Sequence, residues 1–108
     1  MTKDDTVYLK HMKDAIDKII RYAGALNRNE FLKDELVQDA VIRQIEIVGE
    51  ASKRLSPGFK DTHPEIPWKD IVGMRNKLIH DYMGVDIDAV WDTIEKDIVF
   101  LKRQIEAL

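Results

Sequence analysis

The run Arg75-Asn76-Lys77-Leu78-Ile79-His80-Asp81-Tyr82 places a guanidinium, an amide, an ammonium, an imidazole and a phenol close together in the chain. Cleaving a phosphodiester without a metal needs two kinds of group. One moves protons near neutral pH, a task suited to histidine. The other neutralises charge on a pentacoordinate transition state, which suits the forked donors of arginine. Arg75 and His80 supply these two types, and Asn76 and Lys77 are candidates for supporting phosphate contacts. On an ideal helix turning about 100° per residue, Arg75 and His80 stand roughly 140° apart. Arg75 and Tyr82 share one face, and Asn76 and His80 share another. Arg75 and His80 then converge only through long side chains, a local distortion near Gly84, or a second subunit. The same residues also admit a purely structural explanation. His80 could close the C-terminal end of its helix, Arg75 could pair with a carboxylate, and Tyr82 could be core with its hydroxyl at the rim.

Other chemistries find no footing. Ser52 and Ser56 are the only serines, and neither sits in a nucleophile elbow. The chain has no cysteine, and its 5 glycines are scattered rather than gathered into a phosphate loop. No Glu-x-x-His pair is present for a di-iron bundle, and His11, His63 and His80 lack ligand spacing. No metal and no cofactor are expected. Lys and Arg total 17 against 20 Asp and Glu, a net charge of -3. That balance excludes a bulk basic field, so any nucleic-acid role must rest on a small constellation.

The elements that must carry these residues read as helices. A chain of 108 residues, 44% hydrophobic and 34% charged, suits one domain over residues 1–108 with a modest core. Tyr8, Met12, Ala15, Ile19, Tyr22 and Leu26 draw one apolar stripe, and Leu9, Ile16, Ile20 and Ala23 a second beside it. Asp4 and Asp5 suit the positive start of this first helix. Asn27-Arg28-Asn29 reads as a break, with Asn29 as the cap of a second helix from about Glu30 to Leu55, kinked near Asp34. That helix is also apolar on two sides, which predicts a second copy of the chain as a packing partner. Pro57-Gly58 and His63-Pro64-Glu65-Ile66-Pro67 interrupt the pattern. Pro67 then opens a third helix carrying Ile71, Met74, Leu78 and Tyr82 and ending near Met83-Gly84. The fourth runs from about Asp86 to the end on Val90, Ile94, Leu101, Ile105 and Leu108. Strand-like alternation is absent, so the expected fold is an all-α, up-and-down bundle of four main helices with a Pro-containing loop between helices 2 and 3. The N-terminal residues lack signal-peptide regions and no apolar run approaches the ~20 residues of a membrane span. A soluble, cytoplasmic protein with no membrane partner is expected.

Several blocks together resemble a known family. They are Gly49-Glu50-Ala51-Ser52-Lys53-Arg54-Leu55-Ser56, His63-Pro64-Glu65-Ile66-Pro67-Trp68, Gly73-Met74-Arg75-Asn76-Lys77-Leu78-Ile79-His80-Asp81-Tyr82, and Gly84-Val85-Asp86 with Val90-Trp91. Their order and spacing, over essentially the whole chain, are similar to the HepT-like branch of the HEPN superfamily. Its signature of Arg, four residues, His, any residue and Tyr is intact as Arg75, His80 and Tyr82. The resemblance implies a small helical homodimer acting as the toxin of a prokaryotic type VII toxin–antitoxin pair. It also implies metal-independent endoribonuclease activity, with the motifs of two copies lining a cleft at the dimer interface. The implied partners are an RNA substrate and a minimal nucleotidyltransferase antitoxin, with no role for DNA. That antitoxin silences the toxin by transferring AMP to the motif tyrosine, which maps onto Tyr82. The alternative is a non-catalytic helical partner of a nucleotidyltransferase, with the motif as a docking and modification surface. Toxicity lost in an Arg75 or His80 mutant would separate the two. Trp68 and Trp91 are expected as core or interface anchors, Lys53, Arg54, Lys60 and Lys69 as solvated charge, and His63 as a turn residue. Asp81 either orients an imidazole or caps locally.

Overall fold

Thr2 starts the first helix through a reciprocal cap. Its hydroxyl accepts the Asp5 N–H at 3.0 Å, and its own N–H donates to the Asp5 carboxylate at 3.5 Å. In the computed structural model, which describes residues 1–80 and 84–108 with His80 through its backbone alone, this helix, α1, spans Lys3–Ala23. Leu9, Met12, Ala15, Ile16, Ile19 and Ala23 are all buried within the one chain. Both expected stripes are therefore used, because α1 lies lengthwise on α3 (Glu35–Arg54) and also touches the C-terminal helix.

The break after α1 is capped earlier than expected. Asn27, not Asn29, opens the short α2 (Arg28–Lys33): its side chain accepts the Glu30 N–H at 2.9 Å while Glu30 accepts the Asn27 N–H at 2.9 Å. Glu30 stands three residues past Asn27, the spacing this reciprocal cap requires. The expected kink at Asp34 is a full break, where the Asp34 carboxylate caps α3 through the Val37 N–H at 3.1 Å. The interrupted stretch after α3 contains one further helical turn, α4 (Pro57–Asp61), with Ser56 as cap and Pro57 at its first position.

The expected third helix is shorter and broken. Pro67 is its cap rather than its first residue, and Gly73 divides it into α5 (Trp68–Val72) and α6 (Met74–Leu78). It stops at Leu78, not near Met83-Gly84. Ile79 turns extended, and β1 (Ile79–His80) pairs antiparallel with β2 (Gly84–Val85), Ile79 opposite Val85 and His80 opposite Gly84. The Asp86 N–H donates to the Leu78 carbonyl at 2.9 Å, and Gly84 takes φ 77, a conformation that favours glycine. A five-residue helix holds its terminal backbone weakly, so the pairing captures it.

The C-terminal helix is continuous as α7 (Ile87–Asp92), a π-helical segment (Thr93–Ile98) and α8 (Val99–Glu106). Its buried residues Val90, Ile94 and Ile98 step twice by four. On an α-helix that spacing drifts by about 40° per step, and the wider π turn keeps all three facing inward. Phe31 and Trp91, ring centroids 5.2 Å apart, join α2 to α7, and Arg28 bonds to Asp88 at 2.7 Å and Asp92 at 3.1 Å across the same two elements. The fold is all-α, with α5 and α6 in the place of one continuous third helix. No described helix is long and apolar enough to cross a membrane.

Candidate active site

Met74 and Leu78, four residues apart, turn into the core at 7% and 4% exposure. That anchors α6 by one face and leaves Arg75, Asn76 and Lys77 pointing outward. Arg75 and Asn76 line a polar hollow of about 340 Å³ together with Glu46, Gly49, Glu50, Lys53 and Val72. Beside it α3 and α5 cross closely at Gly49, where a Cβ would sit 3.4 Å from the Val72 carbonyl oxygen. Across it, Arg75 Nε lies 3.8 Å from Glu46 Oε1, and the other Glu46 oxygen lies 3.9 Å from Arg43 Nη1. Both partners of the Arg75–Glu46 pair are substantially exposed, so it orients the guanidinium while adding little stability.

Lys77 is turned away from this hollow. It lines a smaller one of about 190 Å³ beside Asp70, Asp97, Phe100 and Gln104, against α8. The structure thus brings together Arg75 and Asn76 and separates Lys77 from them. His80 is fixed through its backbone to Gly84, and because α6 ends at Leu78 the helical-face relations expected of Arg75 and Asn76 with His80 do not hold. The His80 side chain, Asp81 and Tyr82 lie outside the described residues. Among the described residues no group of His, Asp and Glu could hold a metal ion.

The acidic wall was not anticipated. Glu46, Glu50 and Lys53 step by four and three along α3, so they form a polar stripe beside the apolar ones. That spacing was the available signal. The remaining conspicuous residues are structural. The Trp68 indole N–H donates to the carbonyls of His63 at 3.0 Å and Lys60 at 3.2 Å, holding the proline-rich loop. His63 packs on Phe59 at 5.1 Å and reaches Glu65 at 3.3 Å, and Trp91 is 7% exposed in the core.

A helical domain presenting a guanidinium and an amide from one short helix into a polar hollow defines a class of small all-helical proteins with a polar surface site. Comparison with known proteins narrows that class. The model of the family described as ribonuclease HepT-like matches residues 12–108. A Thermococcus cleftensis protein named "Probable ribonuclease HepT" is 44% identical over 108 residues, covering 100% of this chain and 98% of its own. A Methanocaldococcus jannaschii protein named "Gamma-glutamylcyclotransferase and putative RNase" is 42% identical over 97% of this chain and 47% of its own length. A Caldanaerobacter subterraneus protein named "Putative RNase" is 39% identical over 94% of this chain and 90% of its own. No solved structure matches. The chain belongs to the ribonuclease HepT-like family.

Proposed function

We propose that the protein is a metal-independent endoribonuclease, the toxin of a type VII toxin–antitoxin pair acting in the cytoplasm. The observation that carries this reading is the solvent-facing Arg75–Asn76 edge of α6, opening on a polar hollow in a chain of this family. In the reaction, the ribose 2′-oxygen attacks the neighbouring phosphorus and the 5′-oxygen leaves. His80 takes the 2′-hydroxyl proton or returns a proton to the 5′-oxygen. With one such histidine per chain, a homodimer divides the base and acid roles between two copies. Arg75 holds the scissile phosphate and stabilises its added charge, with Asn76 as a further donor. Lys77, facing the opposite hollow, serves the approaching strand rather than the scissile phosphate. The minimal nucleotidyltransferase antitoxin silences the enzyme by AMPylation of Tyr82.

Purified wild-type, Arg75→Ala and His80→Ala proteins, incubated with total RNA and transfer RNA in EDTA, test this. The wild type should cleave and leave 2′,3′-cyclic phosphate ends. Each variant should lose activity by about 10²-fold or more, with helical circular dichroism unchanged. Wild-type activity lost in EDTA and restored by magnesium would refute the mechanism. A wild type that cleaves no RNA yet still binds the nucleotidyltransferase would favour the non-catalytic partner.

A further inference from the structure

A second hollow lies on the other side of Glu50. It measures about 270 Å³ and is lined by Tyr8 and His11 of α1 and by Arg43, Ile47, Glu50, Ala51 and Arg54 of α3. Glu50 lines both hollows, so the second neighbours the one holding Arg75. Glu46 marks the same boundary, reaching Arg75 with one oxygen and Arg43 with the other at 3.8 and 3.9 Å. The two guanidiniums are therefore separated by a single carboxylate.

The charge around this second hollow departs from the balance of the whole chain. The chain carries a net charge of -3. Yet the two linings together hold Arg43, Lys53, Arg54 and Arg75 against only Glu46 and Glu50, a local excess of positive charge. An aromatic platform sits within it. The Tyr8 ring is half-buried and T-shaped to His11 at 6.2 Å and 76°, with the Arg54 guanidinium over it, 6.0 Å from its centroid. Cations beside a half-exposed aromatic ring suit single-stranded nucleic acid, phosphates taking the guanidiniums and a base taking the ring. A duplex, its bases already stacked, has no use for the ring.

We propose that the hollow of Tyr8, His11, Arg43 and Arg54 is a nucleotide subsite for single-stranded RNA. It seats a base against Tyr8 and a phosphate between Arg43 and Arg54, next along the strand from the phosphate at Arg75. The inference takes the nature of its ligand from the ribonuclease reading, but binding at this subsite does not require cleavage. Glu46 and Glu50 tune it by repelling a strand that lacks base contacts to compensate.

The probe is a fluorescent single-stranded RNA fully 2′-O-methylated, which has no nucleophile and cannot be cut, measured by anisotropy across a salt series. Tyr8→Leu should weaken binding by about fivefold or more, and Tyr8→Phe should restore it. Arg54→Ala and Arg43→Ala should each weaken binding and flatten the salt slope, and together lower it by about 0.7, as expected for the one phosphate they share. Lys96→Ala, which removes a charge from a helix absent from both linings, should leave the slope unchanged. Unlabelled single strand should compete and the matching duplex should not. If Tyr8→Leu fails to fold, the two exposed arginines carry the test alone. Wild-type-like binding by both arginine variants, equal competition by duplex, or no binding by the wild type would overturn the subsite. Binding that depends on Tyr8 and Arg54 in a protein that never cuts cleavable RNA would sustain the subsite and sink the ribonuclease reading. Cleavage that depends on Arg75 and His80 but ignores Tyr8 and Arg54 would do the reverse.

Discussion

Arg75 owes its position to its neighbours. Met74 and Leu78 fasten α6 to the core, and Glu46 gives the guanidinium a weak partner that an incoming phosphate can displace. That exchange is the behaviour wanted of a substrate-binding arginine, whose free-state contact should cost little to break. The identity of Arg75 and Asn76 as surface donors was legible because their types and order carry the chemistry. Glu46 was not, since nothing local in α3 says which element will cross it. Tyr82 follows His80 by two residues, in the motif position to which the family resemblance assigns AMP. AMP on its phenolic oxygen replaces the hydroxyl proton with a phosphodiester anion, a charge that competes with substrate for arginine. Co-expression with the cognate nucleotidyltransferase should therefore add AMP-sized mass increments to the intact protein, mapping to the Tyr82 peptide. Tyr82→Phe, lacking the acceptor oxygen, should carry none and escape this control. A fully silenced wild type with no adduct would point to inhibition by binding alone.

Between elements, the most consequential polar contact is one between residues far apart in the chain. Asp5, 2% exposed near the start of α1, accepts the Ser56 N–H and the Ser56 hydroxyl, each at 2.7 Å, while the same hydroxyl caps α4. The Ser56 hydroxyl and then its N–H hold the Asp5 carboxyl below its ordinary value of 3.8, against the opposing effect of burial. A carboxyl that binds protons less readily folded than unfolded stabilises the fold fully above its ordinary value. It loses that contribution as pH falls through the depressed folded value. Thermal melts of Asp5→Asn should therefore lie below wild type at pH 7, with the gap narrowing steadily below pH ~4. A gap independent of pH would mean the carboxylate charge is not what joins α1 to α4. Caps at Asn27, Asp34 and Asp86 have local signals, an acceptor followed three residues later by the N–H it takes. The stop at Leu78 is set by the pairing of Ile79–His80 with nearby Gly84–Val85, for which the positive φ of Gly84 is the local cue and helical periodicity gives no sign. Helical periodicity through Met74 and Leu78 overran the end of α6 for that reason, and the angular argument that carried it on to His80 no longer applies.

For the molecule as a whole, the two-sided helices first suggested a second copy, and the structure changes the reason for expecting one. Both stripes of α1 are spent inside a single chain, between α3 and the C-terminal helix. The large exposed apolar residues that remain, among them Leu36, Val72 and Phe100, sit on different elements. The proposed chemistry supplies a different reason to test for a dimer. Cleavage by proton transfer needs a base and an acid, and each chain offers one motif histidine beside one motif arginine. If the second proton carrier comes from a second copy, activity must follow the dimer fraction rather than total protein. Light scattering should report a homodimer at micromolar concentration, and specific cleavage activity should fall on dilution in step with its dissociation. Charge-reversing substitutions that yield a folded monomer should lower activity by about 10²-fold or more, the scale of losing one proton-transfer catalyst. A monomer that cleaves as fast per chain as the dimer would show that one copy of Arg75 and His80 suffices, and would remove the shared cleft from the mechanism.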